Sequence, residues 1–191
     1  MLFFSCENNL EVDIVNLKTE YLDNPLAIDQ ENPRFSWVLI SPDSGYIQHA
    51  YSILVYKPRT SFSGKEKIVW SSPQVVSNST NQVKYDGKKL EPNTTYEWVV
   101  QVFDKDGKLT GSSGYATFHT GLGSSWTAKW IGKEMDTRPK NDFTIPPSPL
   151  LRKEFNTSGK VEKAILFSSA KGIYNAYLNG EKIGDDLLAP G

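Results

Sequence analysis

The chain has 191 residues, 21 basic and 22 acidic side chains, a formal net charge of -1 and 38% hydrophobic residues. That near-balance gives no electrostatic case for nucleic acid, which calls for a clustered basic face, and nine Tyr, nine Phe and five Trp exclude a disordered chain while sufficing for two modest cores. The single cysteine, Cys6, excludes an internal disulfide and a multi-thiolate metal site, and no stretch approaches the ~20 apolar residues of a membrane span.

In chain order, residues 1–15 read as a tail. Its first part, Met1-Leu2-Phe3-Phe4-Ser5-Cys6, is an apolar run ending in a small residue and a cysteine, after which Glu7-Asn8-Asn9 turn polar. This resembles the end of a bacterial lipoprotein signal, although the run is shorter than the usual apolar core of ~7–15 residues. Cys6 is thus the lipidation candidate, and the expected location is the periplasm or outer cell surface.

Residues 16–121 read as an antiparallel β-sandwich. Phe35, Trp37 and Leu39 alternate in Arg34–Ile40; Tyr51, Ile53 and Val55 alternate in Ala50–Lys57; Tyr96, Trp98, Val100 and Val102 alternate in Thr95–Phe103. Ala116, Phe118 and Thr120 do so after Gly114. Each set turns one face inward and the other to water. Asn24-Pro25, Asn32-Pro33, Ser41–Gly45, Asp86-Gly87 and Asp104–Gly107 punctuate the runs as turns. About seven short strands so punctuated over ~100 residues are the pattern of an immunoglobulin-like sandwich. Leu90-Glu91-Pro92-Asn93-Thr94-Thr95-Tyr96 sharpens this, because its Leu-x-Pro-x-Thr-x-Tyr spacing resembles the tyrosine corner of fibronectin type III domains. A chain crossing between sheets leaves backbone groups unpaired, and a tyrosine hydroxyl can satisfy one while its ring joins the core. His49 and His119 lie in separate predicted strands, with no second ligand at metal-binding spacing, so solvated or half-buried rings and no metal are expected.

Residues 122–149 read as linker and loop, from the small residues Gly121–Ser125 through the Pro-rich Asp136–Pro149 stretch. Residues 150–191 read as the opening strands of a second β-domain. Leu150–Asn156, Val161–Ser168 and Gly172–Leu178 are strand candidates, and Asn179-Gly180 is a type I′ hairpin signal leading into Glu181–Ile183. About four strands fit there, whereas a jelly-roll needs about eight. The domain is therefore expected to be incomplete, with open strand edges and a tendency to self-association.

Several blocks together resemble the N-terminal region of bacterial α-L-rhamnosidases. They are Glu20–Asp29, Asn32–Trp37, Gln48–Tyr51, Val69–Ser72, Thr120–Leu122, Trp130–Gly132, Leu151–Phe155, Tyr177–Gly180, Gly184-Asp185 and Leu188–Gly191. Ala27 departs from the glycine usual there. The resemblance implies an all-β arrangement: a fibronectin-III-like sandwich followed by a partial jelly-roll-like β-domain. Both would be accessory to an (α/α)6 barrel that carries the catalytic carboxylates of an inverting hydrolase acting on terminal rhamnose. The implied partners are a rhamnose-containing glycan, through the parent enzyme, and the barrel, against which these domains pack.

Inverting hydrolysis needs two carboxyl groups ~6.5–9.5 Å apart. Glu134, Glu154, Glu162, Glu181, Asp185 and Asp186 occupy polar slots and turns. No catalytic residue and no cofactor are expected, and Asp185-Asp186 offers too few oxygens for calcium. The alternative reading is a carbohydrate-binding or adhesion module. Its candidates are the rings of Trp126, Trp130, Tyr174 and Tyr177, with Asn175 and Asn179 as hydrogen-bonding neighbours. The competing reading of these rings is core or interdomain packing.

Overall fold

The runs in which apolar residues recur at every second position are the ones that form long strands. In a computed structural model, which describes residues 12–58, 67–133 and 148–185, they are β2 (Arg34–Ile40), β3 (Ala50–Lys57) and β7 (Thr95–Phe103). Around them lie β1 (Asp13–Thr19), β4 (Lys67–Ser71), β5 (Val75–Val76), β6 (Val83–Lys84), β8 (Leu109–Ser112) and β9 (Ala116–His119). Among the described residues a single 3-10 turn, Gly123–Ser125, accompanies the strands. Cys6 and the lipidation reading lie outside the described residues, as do Glu134 and Asp186.

One sheet has the order β1-β2-β6; the larger runs β4-β3-β7-β8, with β5 also on β3 and β9 also on β7. Every ladder is antiparallel. The two sheets share one core, in which Phe35 and Trp37 of β2 meet Tyr51, Ile53 and Val55 of β3 and Tyr96, Trp98, Val100 and Val102 of β7. The Phe35 and Trp98 rings lie 4.5 Å apart between centroids, and Trp37 meets Tyr51 edge-on at 5.4 Å. Full burial of one such aromatic contributes about 2–3 kcal/mol. This is an immunoglobulin-like sandwich.

Several polar groups drawn into the core are satisfied by other parts of the chain, whereas the buried Trp98 Nε1 and Thr19 Oγ1 have no hydrogen-bond partner among the described residues. Trp37 Nε1 donates to Oε1 of the buried Gln48 at 3.2 Å, and the Gln48 amide nitrogen donates to the carbonyls of Ser77 and Ser79. The N–H of Ile53 donates to Ser72 Oγ at 2.8 Å. At the sheet crossing, Tyr96 Oη accepts from the Glu91 N–H at 2.9 Å, which is the corner that the Leu90–Tyr96 spacing predicts.

Two expectations for this domain change. β1 starts at Asp13, inside the stretch read as tail. Its inward residues are Val12 and Ile14, then Leu17 and Thr19, because an irregularity between Val15 and Lys18, with Asn16 at φ 51°, shifts the alternation. His119 is buried rather than half-exposed. Both ring nitrogens are engaged, Nδ1 with Thr95 Oγ1 at 2.8 Å and Nε2 with Asn93 Oδ1 at 3.1 Å, which satisfies the polar ring inside the sheet.

The chain divides into two compact units, Met1–Trp126 and Thr127–Gly191. Among the described residues of the second, one hairpin forms, β10 (Ala176–Leu178) with β11 (Glu181–Ile183). Its turn is the predicted one, with Asn179 at φ 52° and Gly180 at φ 91°. Leu150–Asn156 and Val161–Ser168 are not strands, and of Gly172–Leu178 only the last three residues pair. Alternation marks a chain that can be a strand, but a strand exists only where a neighbour takes its N–H and C=O groups. No ladder to these segments occurs among the described residues.

Candidate functional site

The first unit carries a cleft of about 240 Å³ at the end of the sandwich where β9 leaves the sheet. Its lining comes from three segments: Ile28–Glu31, Lys89–Pro92 and Thr120–Ser124. Backbone pairing brings them together. Ile28 and Thr120 form a parallel bridge, the Gly121 N–H donates to the Ile28 carbonyl at 2.9 Å, and the Asn93 N–H donates to the Gly121 carbonyl at 3.0 Å. Thr120 Oγ1 adds a 2.7 Å bond to the Glu91 carbonyl, next to the Tyr96 corner. Ile28 and Leu90 are buried beneath.

The rim is polar. Lys89 Nζ lies 2.7 Å from Glu31 Oε1, and this exposed pair holds the Glu31 carboxyl below its usual range. Asp29 is different. Among the described residues its carboxylate has no hydrogen-bond or ion-pair partner, and it stands over Gly121, where an added Cβ would lie 2.0 Å from Asp29 Oδ1. Gly121 therefore leaves the space that the carboxylate occupies.

A second polar cluster lies at the start of β2. Glu20 and Tyr21 follow β1 with φ of 50° and 68°, and Thr19 and Leu22 exchange backbone hydrogen bonds of 3.0 Å across them. Two consecutive left-handed non-glycine residues cost about 1–2 kcal/mol each, so the turn needs outside support. Arg34 supplies it. Its Nη2 donates to Glu20 Oε2 at 2.6 Å, its Nε lies 3.1–3.2 Å from both carboxylate oxygens, and its backbone N–H donates to Glu20 Oε1 at 2.7 Å. The guanidinium carbon also sits 5.2 Å from the Tyr21 ring centre. Hydrogen bonding from Arg34, outweighing partial burial, lowers the Glu20 pKa and raises that of Arg34. Leu22 and Leu26 project from the same loop into solvent.

The sugar-binding candidates predicted from sequence fall in two units. Trp126 closes the first unit and is partly exposed; Trp130 lies in the second and is 64% exposed, with Lys171 Nζ 5.1 Å from its ring centre. Tyr174 Oη is within 2.6 Å of Ser168 Oγ, and Asn175 is exposed. Tyr177 projects from β10 opposite Lys182, and Asn179 serves the hairpin turn through its left-handed backbone. Within the second unit Trp130, Asn175, Tyr177 and Asn179 are exposed and Tyr174 is half-buried. The cleft residues Asp29, Lys89 and Ser124 were not singled out as a site by sequence. The available signal was that Ile28-Asp29 and Thr120-Gly121 both fall in the blocks of resemblance.

Among the described residues no three His, Cys, Asp or Glu side chains are placed to hold a metal ion. No helix is long and apolar enough to cross a membrane.

Comparison with known proteins gives two family matches in chain order. Residues 14–124 match the model of the Rha78A-like N-terminal immunoglobulin domain, and residues 159–191 match the α-L-rhamnosidase N-terminal domain. An α-L-rhamnosidase of Formosa agariphila is 34% identical over 98% of this chain, which spans 22% of that relative's length. The crystal structure of a Streptomyces avermitilis α-L-rhamnosidase complexed with L-rhamnose is similar over 64% of this chain and 12% of its own, at 36% identity and a TM-score of 0.57. An α-L-rhamnosidase structure from Dictyoglumus thermophilum is similar over 66% of this chain and 14% of its own, at 34% identity and a TM-score of 0.58.

Proposed function

This chain belongs to the family of Rha78A-like N-terminal immunoglobulin domains, and from that membership we infer that it serves as the non-catalytic accessory front of an α-L-rhamnosidase. The observation that carries the reading is the order of the matches: an immunoglobulin domain at 14–124, then the rhamnosidase N-terminal domain at 159–191. In this role the sandwich and the β-domain after it orient a catalytic barrel and pack against it, and the substrate is a glycan ending in rhamnose. On this reading the β-domain matched at 159–191 is of the jelly-roll type.

A general acid for glycoside cleavage needs a raised carboxyl pKa. Among the described residues the displaced carboxyl groups, Glu20, Glu31 and Glu91, are each lowered by a basic partner, Arg34, Lys89 and Lys57 respectively. We place the protein in the periplasm or on the outer cell surface, anchored through a lipidated Cys6; native mass spectrometry that finds an unmodified Met1 contradicts the anchor.

The test of the accessory role is incubation of the 191-residue chain with an aryl α-L-rhamnoside. The expected rate is that of buffer alone, and saturable turnover that persists through purification contradicts the reading.

A further inference from the structure

We propose that the cleft between Ile28–Glu31, Lys89–Pro92 and Thr120–Ser124 is a binding site for one neutral sugar residue, with the Asp29 carboxylate as its hydroxyl acceptor. The inference rests on the glycan reading above and assigns a residue-level contact to the immunoglobulin domain itself.

Three observations select this ligand class. The cleft holds about 240 Å³, below the ~300–1,000 Å³ of sites for drug-sized ligands and suited to a single ring. Its lining is two-sided, with apolar Ile28, Leu90 and Pro92 and polar Asp29, Lys89 and Ser124. A pyranose has the same division, an apolar C–H face and a hydroxyl edge, and a deoxy sugar adds a methyl group to the apolar side. The charges then discriminate. Lys89 is paired with Glu31 at 2.7 Å, while Asp29 has no partner among the described residues and is held over Gly121. An unpaired carboxylate repels anions and accepts from hydroxyls through short, charge-assisted bonds. A divalent cation is disfavoured, because it takes six or more oxygen ligands and no three ligating side chains converge among the described residues. The backbone bonds joining Ile28, Asn93, Thr120 and Gly121 form the site before any ligand arrives, so little ordering entropy opposes binding.

The experiment is an amide-resolved NMR titration of the 191-residue chain with L-rhamnose through the millimolar range. Saturable shifts at Asp29, Gly121 and Ser124 are expected, with Asp29→Ala weakening the affinity about tenfold through loss of a charge-assisted hydrogen bond. Asp29 is exposed, so this variant is expected to keep the parent spectrum elsewhere; Ser124→Ala is the second probe, with a smaller loss. Absence of shifts at the cleft overturns the proposal, as does an affinity unchanged in both variants. Shifts confined to Trp130–Asn179 overturn the cleft and leave glycan recognition standing in the second unit. The accessory role is decided separately by the hydrolysis assay.

Discussion

The phenol oxygen of Tyr96 lies 2.9 Å from the backbone nitrogen of Glu91 and accepts its hydrogen bond. Tyr96 is buried, with its ring stacked on Phe118 at 5.4 Å, and burial raises its pKa. One side chain thus ties the sheet crossing to the core, directly beside the segment Lys89–Pro92 that lines the cleft. Tyr96→Phe keeps the ring and removes the acceptor. The expected loss is about 1–2 kcal/mol, the cost of leaving a partly buried N–H unpaired, read as a lower midpoint in urea denaturation with an unchanged slope.

The Glu20–Arg34 pair makes stability depend on acid. Hydrogen bonding from Arg34 lowers the folded-state pKa of Glu20 from its ordinary 4.5. The unfolded chain therefore takes up a proton first, and the stabilisation is fully present above pH 4.5 and lost as pH falls through the lowered folded value. Glu20→Gln is expected to cost about 1–3 kcal/mol at neutral pH and to flatten the acid limb of the stability curve. Urea denaturation across the acid range checks both; a variant with the parent's acid limb contradicts the assignment.

Two glycines are needed for close approach, and their neighbours set the cost of replacing them. A Cβ on Gly87 would lie 2.3 Å from Tyr85 Oη and 2.8 Å from Trp70 Cγ. Tyr85 is buried, with a pKa pushed up to about 12 by burial, and its hydroxyl donates to the Lys88 carbonyl. Gly87→Ala is expected to cost about 2–3 kcal/mol, because packed rings must move. The three atoms nearest to a Cβ on Gly121 all belong to the exposed Asp29 carboxylate. The cost of Gly121→Ala is expected to be about 1 kcal/mol and to vanish in the Asp29→Ala background; an undiminished cost there contradicts the steric account.

The long central strands were legible because each carries a period-2 alternation of apolar residues, and β2, β3 and β7 begin and end where the pattern does. The corner was legible because its spacing encodes one hydrogen bond. β1 was hidden by the bulge near Asn16, which breaks the period. β8 and β9 are successive stretches against β7, broken at Ser113–Tyr115, where Ser113 Oγ stands in for a strand carbonyl by accepting from the Val100 N–H. The blocks of family resemblance hold each other in space: Glu20 with Arg34, Trp37 with Gln48, Ile28 with Thr120. That mutual support could not be read without the fold. The cleft was illegible for the same reason, since Asp29 and Gly121 meet only through the parallel bridge. Leu150–Ser168 shows the opposite error, in which alternation indicated strands that lack pairing partners among the described residues.

The second unit should therefore exchange quickly. Leu151, Phe155, Val161 and Leu166 are all exposed, and exposed apolar residues beside unpaired backbone favour association. Amide hydrogen exchange is expected to show rapid labelling across 150–168 and strong protection across β7. Size-exclusion chromatography with light scattering should show self-association that grows with concentration. A monomer with full protection of 150–168 contradicts this.

The most direct test of the accessory account is the genomic reading frame beyond the codon for Gly191. The account predicts that it stays open into a polypeptide several times longer, whose expressed product hydrolyses an aryl α-L-rhamnoside. A stop codon directly after Gly191 in the native gene, with no rhamnosidase polypeptide containing this segment, contradicts it.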